Sequence, residues 1–446
     1  MRSQHCGFTQ GRHPVCIVGA GVAGISTAYA LSRTKVPFDW FDDGSQPGGL
    51  WRYENDNGKS AVYASLITNT SAPNMRLFGH HKPSFGERYL RHDEAMEYLE
   101  WFLERTGLRE SLTPGTAVTS VERTNAGFTV TTRSRSGAAG SREYGSVVIA
   151  NGRNWCPVVP KFRGEFSGRF LHSAAYKTPE ILKDQRVVVA GFGNTGADIA
   201  VDATSCARQV ILSTRGGGFL SLRYSRGGKP ADLVRRTWTY RLPRLLRTKL
   251  ARLLLPERGL SPKVVEALEA RAVFRAKPPV INDRIAGLID SDAIQVRPEI
   301  VDLAGSRVRF ADGSTVEADV LIAATGFTTS FPFFSDEMLE RNGGFRDRYF
   351  RVVAPAEPGL YFVGHAAVLG PVWPVIEEQA RWVAGLITGE CRLPSERTLA
   401  RRARAQSASN ARICRESARG EDTVETYPYI DALKREHGLR AEYTVS

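Results

Sequence analysis

Cysteine is scarce in this chain of 446 residues, and no two of its six cysteines, Cys6, Cys16, Cys156, Cys206, Cys391 and Cys414, lie within five residues of one another. That scatter excludes CxxC metal knuckles and close redox pairs, and leaves reduced, mostly buried thiols as the expectation. Long apolar runs are missing too. Stretches such as VCIVG and VLIAA are only of strand length, well short of the roughly 18 to 20 residues that span a bilayer, so no transmembrane anchor is expected. The opening MRSQHCGFTQGRHP is polar, and the first apolar run leads into a glycine turn instead of a small-residue cleavage site. A cytoplasmic location without a secretory signal follows as the expectation. His80 and His81 are adjacent but have no partner motif, so no metal site is expected.

Hydrophobic residues make up 42% of the chain, enough to bury a full core, and the length suits two or three domains. The formal charge of +13 favours anionic partners such as nucleic acid, acidic lipid or phosphorylated cofactors. Much of that excess lies in residues 223–252, where Arg and Lys interleave with Leu, Val and Trp. An interfacial membrane helix is one reading of this stretch. The solvated face of an insertion is the better one, because Gly227, Gly228, Pro230 and Pro243 interrupt the apolar spacing.

Two stretches carry specific chemistry. In residues 16–30, CIVGAGVAGISTAYA, an apolar run precedes Gly19, Gly21 and Gly24, a helical pattern follows, and VPFDWFDD supplies a second strand. This is a complete βαβ dinucleotide cradle. Gly19 permits the tight turn, Gly21 lets backbone N–H groups approach a pyrophosphate at the positive end of the helix, and Gly24 allows close helix–strand packing. Asp42, 23 residues after Gly19, stands where a carboxylate accepts ribose hydroxyls. Residues 187–200, VVVAGFGNTGADIA, repeat the pattern with Gly191, Gly193, Asn194, Thr195 and Gly196, followed by the strand RQVILS. Here the same count of residues ends at Ser213-Thr214-Arg215, with no acid. A guanidinium at 215 pairs bidentately with a 2′-phosphate that a carboxylate would repel, although an ordinary surface arginine is the alternative. The first cradle therefore suits the adenosine half of FAD, and the second suits NADPH over NADH; nucleic acid is not an expected partner.

A strand ending in Ala324-Thr325-Gly326 follows the second cradle, and a weaker counterpart, Ala150-Asn151-Gly152, precedes it. Their positions predict an α/β protein with two Rossmann-like dinucleotide-binding domains, the NADPH domain inserted in the FAD domain. The expected limits are residues 1–162 and 330–446 for the FAD domain with C-terminal helices, and 163–329 for the NADPH domain, with a basic helical insertion around 223–285.

In FSGRFLHSAAYK, residues Phe166, Gly168, His172, Tyr176 and Lys177 stand as FxGxxxHxxxYK. Here the sequence resembles the flavin-containing monooxygenases, in a soluble bacterial-type form. Related Baeyer–Villiger monooxygenases have tryptophan where this chain has Tyr176. The resemblance extends over nearly the whole chain, through GGLWRY at 48–53, VYASLITNTS at 62–71, DGSTVEADVLIAATGF at 312–327 and GPVWPVIEEQARW at 370–382. It implies FAD and NADPH as cofactors, O2 and a small molecule as substrates, and oxygenation of an amine nitrogen or sulfur by a C4a-hydroperoxyflavin. By the same resemblance Asn69 lies beside the flavin carbon that captures oxygen, with Tyr63 and Ser65 as lining. Gly49, Leu50, Trp51, Thr325, Gly326 and Gln379 belong to its cofactor-contacting segments. A turn role for Asn69 stays open, and His172 and Tyr176 read better as structural hydrogen bonders than as acid and base.

Departures from the family pattern are the shorter Asp42 in place of glutamate, Phe327 in ATGF where ATGY is usual, and a C-terminus without the hydrophobic tail of mammalian members, which implies a soluble enzyme. Baeyer–Villiger oxidation of a ketone, N-hydroxylation of a specific biosynthetic metabolite, and a flavin-bound sensor that has lost turnover are the alternatives. Trp373 and the run Phe331, Phe333 and Phe334 either line an apolar pocket or pack in the core, with core packing the commoner fate. A homodimer is the default assembly.

Overall fold

A computed structural model describes residues 14–225, 227–234, 260–269, 279–413 and 423–438. Most of the expected basic helical insertion, residues 235–259 and 270–278, lies outside them, as do Cys6 and Cys414.

The first cradle folds as its sequence dictates. Strand β1 (Val15–Val18) is apolar and buried along its whole length, the pattern of a parallel strand covered on both faces. It turns through Gly19 into helix α1 (Val22–Ser32), which is apolar nearly all round and accordingly buried, and the chain returns as β2 (Phe38–Phe41), parallel to β1. The sheet continues through Ser146–Ile149 and Leu360–Phe362 on one side and Leu112–Thr113 on the other, all parallel. Beyond this sheet, β3 (Ile67–Ser71) pairs antiparallel with the short strand Tyr89–Arg91 through an irregular register.

The second cradle repeats the arrangement with β4 (Arg186–Ala190), helix α2 (Asn194–Ala203) and β5 (Gln209–Ser213). Its five-stranded parallel sheet adds Gln295–Arg297, Arg169–His172 and β6 (Val320–Ala323), which lies directly beside β4. The first sheet thus takes strands from both sides of the second in the sequence. Where the chain passes between them, Cys156–Pro157 on the way out pairs antiparallel with Phe327–Thr328 on the way back.

Helix α3 (Trp373–Thr388) covers α1, and helix α4 (Thr426–Glu436) packs on α3. The strand Thr423–Glu425 just before α4 pairs in parallel with Ala367–Leu369. Phe331, Phe333 and Phe334 join Phe345 and Phe362 in one buried cluster. Core packing is their main role, and only Phe333 also reaches a cavity wall.

Candidate functional site

Gly19 has φ +106°, and a methyl there would stand 2.6 Å from the Ala150 carbonyl oxygen, so the tight turn admits only glycine. A methyl on Gly24 would collide with the Gly19 carbonyl, whereas Gly21 meets only the Gly49 Cα at 3.7 Å. The helical turn Gly49–Trp51, which includes Leu50, docks on this cradle through Gly48 N–H donating to the Ala20 carbonyl at 2.8 Å. Gly49 packs so closely on Gly21 that a side chain would sit 2.8 Å from its Cα.

Cradle and turn open into a cavity of about 450 Å3. Its wall carries polar Asp42, Asp43, Asn57, Lys59 and Asn151 and apolar Trp51, Trp155, Val372, Trp373 and Ile376. Trp51 and Trp373 meet edge to face at 6.2 Å, and the Lys59 ammonium pairs with Asp43 and lies 4.8 Å from the Trp155 ring. Thr423, from the end of the chain, completes the wall.

Asp42 occupies the position expected of a ribose acceptor, and its shorter side chain is engaged by the backbone. Oδ2 accepts from Ala20 N–H at 2.6 Å and Oδ1 from Gly44 N–H at 2.7 Å. Burial pushes its carboxyl up to about 6, more than those two donors hold it down. Asn151 donates its Nδ2 to the Ser330 carbonyl while its buried Oδ1 has no partner among the described residues. A cradle and cavity of this size with a free acceptor on the wall among the described residues fit a dinucleotide such as FAD.

The second cradle has the same steric signature. Gly191 has φ +116° and no room for a methyl against the Ala324 carbonyl, and Gly196 packs on the Gly191 carbonyl. A methyl on Gly193 meets nothing within 4 Å, so that face is open to a pyrophosphate. The Asn194 Oδ1 is taken by Ile281 N–H at 2.7 Å, and Thr195 follows in the first turn of α2. At the strand end, Ser213 Oγ donates to the Pro298 carbonyl at 2.7 Å, Thr214 Oγ1 accepts from Gly217 N–H at 3.0 Å, and Arg215 is exposed at the mouth. The cradle fits a second dinucleotide.

Other expected contacts fall elsewhere. Tyr63 and Ser65 do not line the cavity: the Tyr63 hydroxyl donates to Asp198 Oδ2 at 2.6 Å, and Ser65 donates to Asp202. Both carboxylates project from α2, one turn apart, and burial raises both. Tyr176 also donates to Asp202, at 3.0 Å, and Lys177 donates to the Ser60 and Val62 carbonyls at 2.9 Å. His172 lies 3.1 Å from the Gly326 carbonyl through Nε2, and burial lowers its basicity. The linker signature therefore ties the two units together. Thr325 donates to the Val158 carbonyl and Gly326 accepts from Val158 N–H at 2.9 Å, at the chain crossing. Gln379 is fully buried, accepting from Gly364 N–H at 3.0 Å and donating to the Tyr429 hydroxyl at 2.7 Å. Asn69 is exposed on β3, outside the cavity wall, and makes no hydrogen bond to any described residue. Lys59, Trp155 and Thr423 have no local sequence signal; only the fold brings them to the wall.

Two cradles of this kind invite comparison with known proteins. A family model described as flavin-binding monooxygenase-like matches residues 12–444. The chain belongs to this family. Among relatives of this flavin-binding monooxygenase-like chain, dimethylaniline monooxygenase [N-oxide-forming] 2 of Macaca mulatta is 29% identical over 450 residues, covering 96% of this chain and 83% of the relative. Its fold is similar to that of S-allyl-L-cysteine S-oxygenase from Allium sativum, with TM-score 0.70 and 23% identity over 97% of this chain and 90% of the other. Cyclohexanone monooxygenase from Rhodococcus sp. Phi1 bound to NADP+ has TM-score 0.68 and 17% identity, covering 96% of this chain and 97% of the other. The chain is a flavin monooxygenase of two Rossmann-like units that uses FAD and NADPH. Among the described residues no helix is long and apolar enough to cross a membrane, and no cluster of three or more His, Cys, Asp or Glu side chains is arranged for a metal.

Proposed function

We propose that this monooxygenase oxygenates an amine nitrogen or sulfur of a small molecule, with FAD in the first cradle and its cavity and NADPH at the second. The observation that carries this reading is the pair of glycine cradles, the first opening into a cavity of about 450 Å3. Residues 1–162 and 330–446 form the FAD unit and residues 163–329 the NADPH unit. When bound, the two cofactors supply hydride transfer and oxygen activation, chemistry that needs no protein nucleophile or metal.

Around them the protein binds, orients and keeps water out. Backbone N–H groups at the start of α1 receive the FAD pyrophosphate, and Asp42 and Lys59 face its ribose end. Buried Trp373 and Ile376, with Trp51, give the cavity an apolar wall that would help keep water from a reactive centre. Gly191, Gly193 and Gly196 receive the NADPH pyrophosphate, and Arg215 pairs with the 2′-phosphate. Asn69, whose amide makes no hydrogen bond to any described residue, would offer that amide to bound flavin, as the family resemblance implies. Nearby, the turn Ala72–Met75 packs on α3, the helix that supplies Trp373.

The test is purified protein loaded with FAD, assayed for oxygen-dependent NADPH oxidation against amines, sulfides and ketones. Product from amines or sulfides supports the reading, and product from ketones alone replaces it with Baeyer–Villiger chemistry. With Asn69→Ala, peroxide release per NADPH consumed is expected to rise. Unchanged coupling removes Asn69 from the site.

A further inference from the structure

Strand β3 is irregularly paired in its own sheet, although Leu90 N–H donates to Thr68 Oγ1 at 3.0 Å and Ala72 N–H to the Arg88 carbonyl at 2.8 Å. Against Tyr89–Arg91 it pairs only at Ile67 with Arg91 and Ser71 with Tyr89, and the register shifts in between, where Asn69 lies. The polar groups at its end are also held from the chain that follows the second cradle. Asp232, in the short helix Ala231–Val234, places Oδ2 at 2.9 Å from both the N–H and the hydroxyl of Ser71 and at 2.8 Å from Asn74 Nδ2, all three donating. Its Oδ1 accepts from the Tyr89 hydroxyl at 3.2 Å, so one carboxylate binds both strands of the pair. Ser71 and Asn74 are 0% and 2% exposed, and their donors have no other acceptor among the described residues. The start of the strand is held from the same side: Arg223, fixed by Asp283, donates Nη2 to the Ile67 carbonyl at 3.4 Å. Asp232 and Arg223 lie 156 to 161 residues away in sequence, in the chain that follows the second cradle.

We propose that Asp232 is a positioning residue for the reaction: by satisfying the buried donors of Ser71 and Asn74 it sets the strand on which Asn69 meets the flavin. This rests on the reading of Asn69 given above. A buried donor stripped of its acceptor makes the backbone move to find another, and small displacements of a positioned group are costly to chemistry. Because the carboxylate belongs to the NADPH unit's part of the chain, the placement of Asn69 depends on how the two units dock.

The experiment uses the FAD-loaded enzyme and measures peroxide released per NADPH oxidised, alongside FAD content and the KM for NADPH. For Asp232→Ala, a severalfold rise in peroxide release is expected, with FAD content and KM near wild type. Asp232→Asn, which keeps an oxygen for the Ser71 and Asn74 donors, restores most of the coupling. In an Asn69→Ala background, Asp232→Ala adds no further leakage. If Asp232→Ala gives protein too unstable to assay, Asp232→Asn and Tyr89→Phe, which leave most of the contacts in place, are read for an intermediate rise. Wild-type coupling in Asp232→Ala beside a leaky Asn69→Ala overturns the inference and leaves the role of Asn69 standing. Leakage that multiplies in the double variant also overturns it, since Asp232 then acts by another route. Wild-type coupling in Asn69→Ala overturns both.

Discussion

At position 42 a carboxyl is under opposing influences. Burial favours its neutral form and lifts it from 3.8 to about 6, while N–H donors from Ala20 and Gly44 favour the ion. Because the folded protein binds this proton more tightly than the unfolded chain, the group's contribution to stability is full below about pH 4 and is lost as pH rises toward 6. Cofactor binding has the opposite sign, since ribose hydroxyls donate to the ionised form. FAD affinity should therefore fall as pH drops below 6, by up to about tenfold per pH unit for one linked proton. Titrating FAD binding between about pH 5 and pH 7.5 checks this, and Asp42→Asn should flatten the dependence. Arg215, exposed at the other mouth, gives a sharper test of cofactor choice. Arg215→Ala should raise the KM for NADPH roughly tenfold while leaving that for NADH nearly unchanged, because a charged phosphate contact is lost for one cofactor only. Equal effects on both cofactors would make it an ordinary surface residue.

Within the two cradles, glycines of like spacing have unlike duties. A methyl on Gly24 runs into the Gly19 carbonyl and forces α1 away from β1, a misfit of about 1–3 kcal/mol. One on Gly193 enters open space where a ligand is expected. Gly24→Ala should lower the melting temperature and FAD content together, and Gly193→Ala should melt like wild type yet bind NADPH poorly; thermal melts beside NADPH titrations separate the two. Such duties were legible in the sequence because turn, helix start and close packing all lie within about a dozen residues of one another. The strands of the two βαβ units and β6 were legible for the same reason, but Leu112–Thr113, Leu360–Phe362, Arg169–His172 and Gln295–Arg297 join the sheets from further along the chain and were not. Tyr63 and Ser65 were not, since their partners Asp198 and Asp202 lie 135 and 137 residues on. The resemblance implied lining of the flavin site for both, and in the fold their hydroxyls donate to α2. Gln379 likewise sits in a recognisable segment, but its amide serves Gly364 and Tyr429, a partner 50 residues away.

Taken whole, the molecule closes its cofactor cavity with the last part of the described chain. Thr423 forms part of the wall, its strand lies along Ala367–Leu369, and the Tyr429 hydroxyl accepts from Gln379 and donates to the Phe350 carbonyl. Tyr429→Phe would leave both groups without partners inside the protein, at about 1–3 kcal/mol for each orphaned group. The variant should melt several degrees lower and lose FAD faster on dilution, measured by flavin fluorescence; equal retention would show that the C-terminal helix is not needed for closure. The interleaved sheets also have a consequence for biosynthesis. The five strands of the second sheet all lie between residues 169 and 323, whereas the first waits for Leu360–Phe362 and its cavity for Thr423. On the ribosome the inner unit can therefore mature while the outer one is still open at its edge, and flavin capture becomes one of the final events in the life of the nascent chain.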